Sequence, residues 1–518
     1  MNYAEQKSSP SGGGGGFIEI MDTTLRDGEQ TSGVSFSPSE KLTIAQILLT
    51  EVKVDRIEVA SARVSEGEFQ AVKKITDWAS ANGFIEKVEV LTFVDGEASI
   101  NWMLKAGAKV MNLLTKGSLN HLTHQLGKTP AQHFSEIEKV IALATQNDLL
   151  VNVYLEDWSN GMRNSPGYVL QYLDFLTQQP IKRVLLPDTL GVLTPAECYE
   201  FIHLLVGRYP NTHFDFHAHN DYDLGTANAM EALRAGVHGL HLTINGLGER
   251  TGNASLASVV AVMNDFMPEF KTNVVETSLY TISKMVESFS GVRVANNQPV
   301  VGESVFTQTA GIHADGDKKK DLYVSKLNPS RFGRKTSYAL GKMSGKANIE
   351  RNLAELGIKL SDEDLKKVTA KIIELGDKKE QVTREDLPYI ISDVLESSAI
   401  EEEKVKVLNY VLTHSKNLKP SATLQVQIGE EVFEESAQGD GQYDAFMNAL
   451  KKIYAKKKIE LPMLTDYAVR IPPGGKTDAL CETIITWKEK NKYLKTRGLD
   501  SDQTVSAIIA TQKMLNLI

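Results

Sequence analysis

The chain has 518 residues, 42% hydrophobic and 24% charged, the balance of a globular protein too long for one ordinary domain. A net charge of −9 argues against a general nucleic-acid binder, which would carry a basic face. Cys198 and Cys481 have no partner spacing, which argues against a disulfide framework and a thiolate zinc site. No stretch approaches the roughly 18 apolar residues of a membrane helix.

Residues 1–16 are polar, end in five glycines and lack the apolar core of a signal peptide, so they read as a flexible tail on a cytoplasmic protein. From Phe17 a rhythm begins in which a short β-branched run ends in polar residues and a helical segment follows. The runs are 17–22, 55–61, 87–94, 109–115, 149–157, 183–190, 213–219 and 239–245, with amphipathic stretches such as 39–52 and 65–82 between them. Strands alternating with helices imply parallel βαβ units, and eight of them fit a closed (β/α)8 TIM barrel over 17–285. Residues 286–400 read as helical linker subdomains. Residues 401–518 read as an α+β unit of two βββα repeats. Runs 405–413, 422–428 and 431–437 precede a helix at 443–456; runs 464–471 and 478–487 and a short extended piece precede one at 501–517. Neither repeat can bury a core alone, so they are expected to pack together and across a dimer.

In a TIM barrel the chemistry gathers at the C-terminal strand ends. His217-Ala218-His219 closes the seventh run, and residues two apart on a strand point the same way, so both imidazoles can reach one ion. His213, at the start of that run, reads as a structural histidine. Barrel closure brings strands one and eight beside strand seven. Strand one runs into Asp22-Thr-Thr-Leu-Arg-Asp-Gly-Glu-Gln30, and strand eight into Asn245-Gly-Leu-Gly-Glu-Arg-Thr-Gly-Asn253. A carboxylate, two imidazoles and an amide oxygen can thus meet on one arc, a donor set for Zn, Mn, Co or Mg. Arg26 beside it reads as a clamp for a substrate carboxylate. Leu91, Leu114 and Tyr154, on strands three to five, would wall the opposite side and leave room for little more than a methyl group.

The motifs Asp22–Gln30, His217–Asp221 and Gly248–Asn253, in that order, resemble the 2-isopropylmalate, homocitrate and citramalate synthases, and the resemblance runs from Phe17 to Ile518. It implies a Claisen condensation of acetyl-CoA, as co-substrate, with a small 2-oxo acid, followed by thioester hydrolysis. It implies a divalent metal (Zn, Mn or Mg) on Asp27, His217, His219 and Asn253, and Arg26 stabilising the developing alkoxide. It further implies Glu156 at the acetyl-CoA end and Thr189 on the substrate carboxylate. His313 and Tyr323 would enter the neighbouring subunit's active site, which makes a homodimer. Residues 153–163 (VYLEDWSNGMR) look more like citramalate synthases, which use pyruvate; 2-oxoisovalerate, the isopropylmalate reading, is the alternative. Homocitrate synthesis would want an extra basic residue for a distal carboxylate. Lyases of the same barrel rely on a Gly-Cys loop and carboxyltransferases on a carboxylated lysine. Neither cysteine follows a glycine at the barrel mouth, and strand four reads as ending without a lysine. Residues 401–518 resemble the family's regulatory domain. Gly439–Ala445 matches its effector motif, centred on Tyr443 and Asp444 with Tyr467 and Gln503 as further matches; isoleucine is the expected inhibitor with pyruvate, leucine with the alternative.

Overall fold

A computed structural model describes residues 16–308, 325–377, 382, 384–395, 405–470, 481–489 and 492–517. Residues 1–15 of the expected tail, His313 and Tyr323 lie outside the described residues. The chain forms two compact units. The first takes in the described residues up to Phe306 together with 325–335, and the second takes in the rest.

The first unit is the expected barrel. Its strands are β1 (Glu19–Asp22), β2 (Arg56–Ser61), β3 (Val88–Phe93), β4 (Val110–Lys116), β5 (Leu150–Glu156), β6 (Arg183–Asp188), β7 (Phe214–Ala218) and β8 (Gly239–Leu242). Every neighbour is parallel, and β8 closes on β1 with Glu19 opposite Gly239 and Asp22 opposite Leu242. Alternation along each strand decides what lies on each side of the barrel wall. Ile57 and Val59, Val88 and Val90, Met111 and Leu113, and Phe214 and Phe216 join the helices in one apolar core. The helix Glu66–Asn82 shows how the outer layer is made. Ser65 caps its start by accepting from Glu68 N, Gly83 ends it in the left-handed region, and Val72, Ile75 and Ala79 face the core. Each large aliphatic side chain so buried contributes about 1.5–3 kcal/mol.

The intervening residues fill the barrel with ion pairs rather than with the branched aliphatic layers common in this fold. Arg56 sends Nη2 to Asp215 (2.5 Å), Nη1 to Glu89 (2.8 Å) and Nε to Glu19 (3.0 Å). A buried charge without such partners would cost several kcal/mol, roughly 3–5 for one broken pair, so these residues stand or fall together.

In the second unit two-residue strands β9 (Thr307–Gln308) and β10 (Ser337–Tyr338) pair in parallel. Helices Lys346–Glu355, Asp362–Asp377 and Leu387–Leu395 share a core of Ile349, Leu353, Val368, Ile372 and Leu387. Two βββα repeats follow. Antiparallel β11 (Val405–Ser415), β12 (Leu418–Ile428) and β13 (Glu431–Gln438) precede the helix Gln442–Lys456. Antiparallel β14 (Met463–Arg470), β15 (Cys481–Glu489) and β16 (Lys492–Asp500) precede the helix Gln503–Leu515. Burial alternates along β12 and β15, and the inward residues Leu424, Val426, Ile485 and Trp487 join Phe446, Leu450, Ile508 and Met514 in a single core. The two repeats therefore complete each other within one chain. Among the described residues no helix is long and apolar enough to cross a membrane.

Candidate active site

Beyond β1 the chain turns sharply. The N–H groups of Arg26, Asp27 and Gly28 all point at Thr23 O, at 3.2, 2.9 and 3.1 Å, and Asp22 Oδ1 accepts from Thr24 N at 2.9 Å. Asp22 is thus engaged in shaping the turn, while the turn carries Asp27 over the barrel mouth. There His217 Nε2 lies 3.0 Å and His219 Nε2 3.7 Å from Asp27 Oδ2. Ligand atoms of these three buried residues lie within 4.8 Å of one another.

His217 belongs to β7, whereas His219 lies just past its end and forms an isolated antiparallel bridge with Asn253. The loop supplying Asn253 depends on two glycines. Gly252 has φ +86°, and a Cβ there would sit 1.9 Å from Gly246 O; one on Gly248 would sit 2.3 Å from Asn253 Nδ2. Asn253 Nδ2 donates to Leu247 O at 3.0 Å, so its Oδ1 faces the other way. Both oxygens of Asp27, Nδ1 of His217 and of His219, and Oδ1 of Asn253 are buried without a well-directed hydrogen bond among the described residues. Buried polar atoms are nearly always satisfied. The unsatisfied oxygens of Asp27, gathered with one ring nitrogen from each of His217 and His219, fit a divalent cation of the borderline to hard class. Burial alone would raise the Asp27 carboxyl, but Arg26 and the two imidazoles hold it well below the usual range. Burial and the neighbouring His217 push His219 down to about 4, so it presents a neutral ring.

Arg26 is aimed by a residue that sequence reasoning missed. Its Nε donates to Glu58 Oε2 at 2.7 Å, Thr23 Oγ1 donates to the same oxygen at 2.8 Å, and Asn112 Nδ2 donates to Oε1 at 2.8 Å. The guanidinium then lies with Nη1 3.7 Å from Asp27 and its carbon 5.8 Å from the centre of the Tyr154 ring. A cavity of about 170 Å³ opens here, lined by Arg26, Asp27, Gln30, Leu91, Leu114, Tyr154, Glu156, Pro187, Thr189, His217, His219 and Glu249. Leu91, Tyr154 and Leu185 form a small apolar cluster with Leu114 packed on it, and of these Leu91, Leu114 and Tyr154 line the cavity. Thr189 Oγ1 accepts from Asp157 N at 2.9 Å, leaving its O–H free to donate. Arg250 locks the surrounding loops, binding Asp221 through Nε and Nη2 (both 2.8 Å) and Thr189 O (2.8 Å).

One expectation is overturned. β4 does end in a lysine, Lys116, because the strand extends one residue beyond the β-branched run; its ammonium is ion-paired with Glu156 and does not line the cavity. Of the expected effector residues, Tyr443 Oη bonds Thr511 Oγ1 at 2.7 Å and its ring centre lies 5.4 Å from that of Tyr467. Burial raises the Tyr467 hydroxyl above its ordinary pKa, and the neighbouring side chains of Gln503 and Thr483 partly offset this. Asp444 is turned towards its own loop, accepting from Asp440 N (2.9 Å) and Asn448 Nδ2 (3.2 Å).

A closed eight-stranded barrel with an Asp-His-His cluster at its mouth defines a TIM-barrel protein with a candidate metal site where such barrels carry their chemistry, and comparison with known proteins narrows the class. Residues 17–286 match the HMGL-like family model, 300–380 the homocitrate synthase post-HMGL domain-like model, and 381–518 the LeuA allosteric (dimerisation) domain. The chain is 34% identical over 502 residues to a putative (R)-citramalate synthase of Archaeoglobus fulgidus, covering 97% of this chain and 99% of that one. It is 32% identical to the (R)-citramalate synthase of Methanocaldococcus jannaschii (97% and 99% covered) and 32% identical to a probable 2-isopropylmalate synthase of Methanopyrus kandleri (96% and 98%). The chain belongs to the citramalate and 2-isopropylmalate synthase family. It is an acyltransferase that condenses acetyl-CoA with a 2-oxo acid.

Proposed function

We propose that the 2-oxo acid is pyruvate and the product citramalate. The observation that carries this reading is the wall of Leu91, Leu114 and Tyr154, backed by Leu185, that lines a cavity of about 170 Å³ together with Asp27, His217 and His219. Even one extra methylene at such a wall costs roughly 1–3 kcal/mol of discrimination. Asp27, His217, His219 and Asn253 are the metal ligands in this reading, and the bound divalent ion supplies Lewis-acid polarisation of the keto group. Thr189 donates its free O–H to the substrate carboxylate. Arg26, kept cationic by Glu58, stabilises the negative charge that develops on the keto oxygen as the carbon–carbon bond forms. Glu156, held by Lys116, faces the acetyl end of the cavity. The partner subunit's His313 and Tyr323 supply the remaining acid–base groups for removing the methyl proton and hydrolysing the thioester, in a homodimer consistent with the LeuA dimerisation domain.

The Tyr443, Tyr467 and Gln503 cluster is the effector site, with Asp444 fixing the loop beside it, and isoleucine is the inhibitor. Full-length similarity to 2-isopropylmalate synthases supports a second reading, with 2-oxoisovalerate as substrate and leucine as inhibitor. Free thiol released from acetyl-CoA, measured with pyruvate, 2-oxoisovalerate and 2-oxoglutarate, separates them. Strong preference for pyruvate, abolished by a chelator and restored by a divalent ion, is expected. Comparable rates with pyruvate and 2-oxoisovalerate would sink the pyruvate reading. Tyr467→Ala should relieve isoleucine inhibition; undiminished inhibition would move the effector elsewhere.

A further inference from the structure

Below the cavity wall a line of buried polar groups runs into the barrel. Tyr154 Oη of β5 lies 2.9 Å from His241 Nδ1 of β8, and His241 Nε2 lies 3.1 Å from Asp215 Oδ2 of β7. Asp215 is fixed in turn by Arg56 Nη2 at 2.5 Å and by His213 Nε2 at 2.9 Å. Space is reserved for it: a Cβ on Gly239 would come 2.3 Å from Asp215 Oδ1. Of the three residues in the line, only Tyr154 lines the cavity.

The direction of each hydrogen bond follows from the chemistry. A carboxylate only accepts, so the proton of the neutral imidazole sits on Nε2 and Nδ1 is left to accept from the Tyr154 hydroxyl. The consequence is geometric. Leu91, Leu185 and Leu114 pack against Tyr154, and its ring meets His217 and His241 edge-on, at 6.1 and 5.6 Å between centres. Among the described residues the one side-chain hydrogen bond that holds the far end of the ring is the hydroxyl tether.

We propose that His241 is a positioning residue that sets the size limit for the 2-oxo acid, its Nδ1 anchoring the Tyr154 hydroxyl while Asp215 holds the imidazole. Without the anchor the ring can yield to a larger substrate side chain. The inference rests on the pyruvate reading, and one set of measurements separates the two. The readout is the ratio of kcat/KM for pyruvate to that for 2-oxobutyrate, one methylene larger, in the wild type, Tyr154→Phe, His241→Gln, the double variant and His241→Asn. Gln can still donate to Asp215 but offers no acceptor where Nδ1 stood; Asn keeps that acceptor. One methylene is normally discriminated about 10–200-fold, and the anchor's loss should lower the ratio roughly tenfold in Tyr154→Phe and His241→Gln. The double variant should fall no further, and His241→Asn should keep the wild-type ratio. A wild type indifferent to the two acids refutes the pyruvate reading. A selective wild type whose ratio survives in Tyr154→Phe and His241→Gln refutes the anchor, as does equal loss in His241→Asn. Should His241→Gln fail to fold, Tyr154→Phe, which removes one oxygen atom, decides alone.

Discussion

Glu58→Gln probes the electrostatics of the site without touching the cavity. Glu58 is fully buried and its oxygens accept three hydrogen bonds, from Arg26, Thr23 and Asn112. The substitution removes the charge that neutralises Arg26. It also replaces one acceptor with an N–H₂ group facing a donor, whichever way the amide turns. Removing one partner of a buried pair costs about 3–5 kcal/mol, shared between stability and the position of Arg26. A guanidinium displaced by 1 Å from the developing charge forfeits about 10²-fold in rate. The expected outcome is a drop of about 10²-fold in kcat/KM for pyruvate, roughly 2.7 kcal/mol of lost transition-state stabilisation. Thiol release gives the rate, circular dichroism confirms the fold, and metal analysis should find the ion retained. A folded, metal-loaded Glu58→Gln enzyme within about threefold of wild type would refute the claim that Glu58 aims Arg26.

Two further outcomes follow from the same geometry. Asp27→Ala should lose both turnover and stoichiometric divalent metal on dialysis, and a variant that keeps one ion per chain would remove Asp27 from the ligand set. His133 is buried, accepts from Lys116 N at 3.2 Å, and is pushed down to about 4 by burial and by Lys128 and Lys116. The unfolded chain takes up that proton near 6.5, so the stabilisation is complete above 6.5 and is lost as pH falls towards 4. Its imidazole NMR resonances should not move between pH 7.5 and 5.5, and a titration centred near 6.5 would contradict the placement.

Much of this was legible because the relevant patterns are local. Short β-branched runs between helical stretches announced the eight strands, and His217-Ala218-His219 declared its shared direction by spacing alone. Choosing between Asp22 and Asp27 needed either the family resemblance or the turn, since only the bond from Thr24 N shows that Asp22 Oδ1 is already engaged. Glu58, Asn112, Asp215 and His241 went unread because a polar residue inside an apolar run looks like a solvent-facing position. In a barrel both faces of a strand are buried, so each such residue must find a partner inside. Lys116 was missed for a related reason: nothing in the β-branched run marks one more residue as strand, and only pairing opposite Glu156 extends it.

X-ray absorption at the zinc edge, on chelator-stripped enzyme reloaded with one equivalent of Zn²⁺, reaches the core of the account most directly. It should show two imidazole nitrogens and additional oxygen donors at about 2.0–2.2 Å, with the oxygen shell changing when pyruvate is added. A shell without histidine, or one with sulfur at about 2.3 Å, would contradict it.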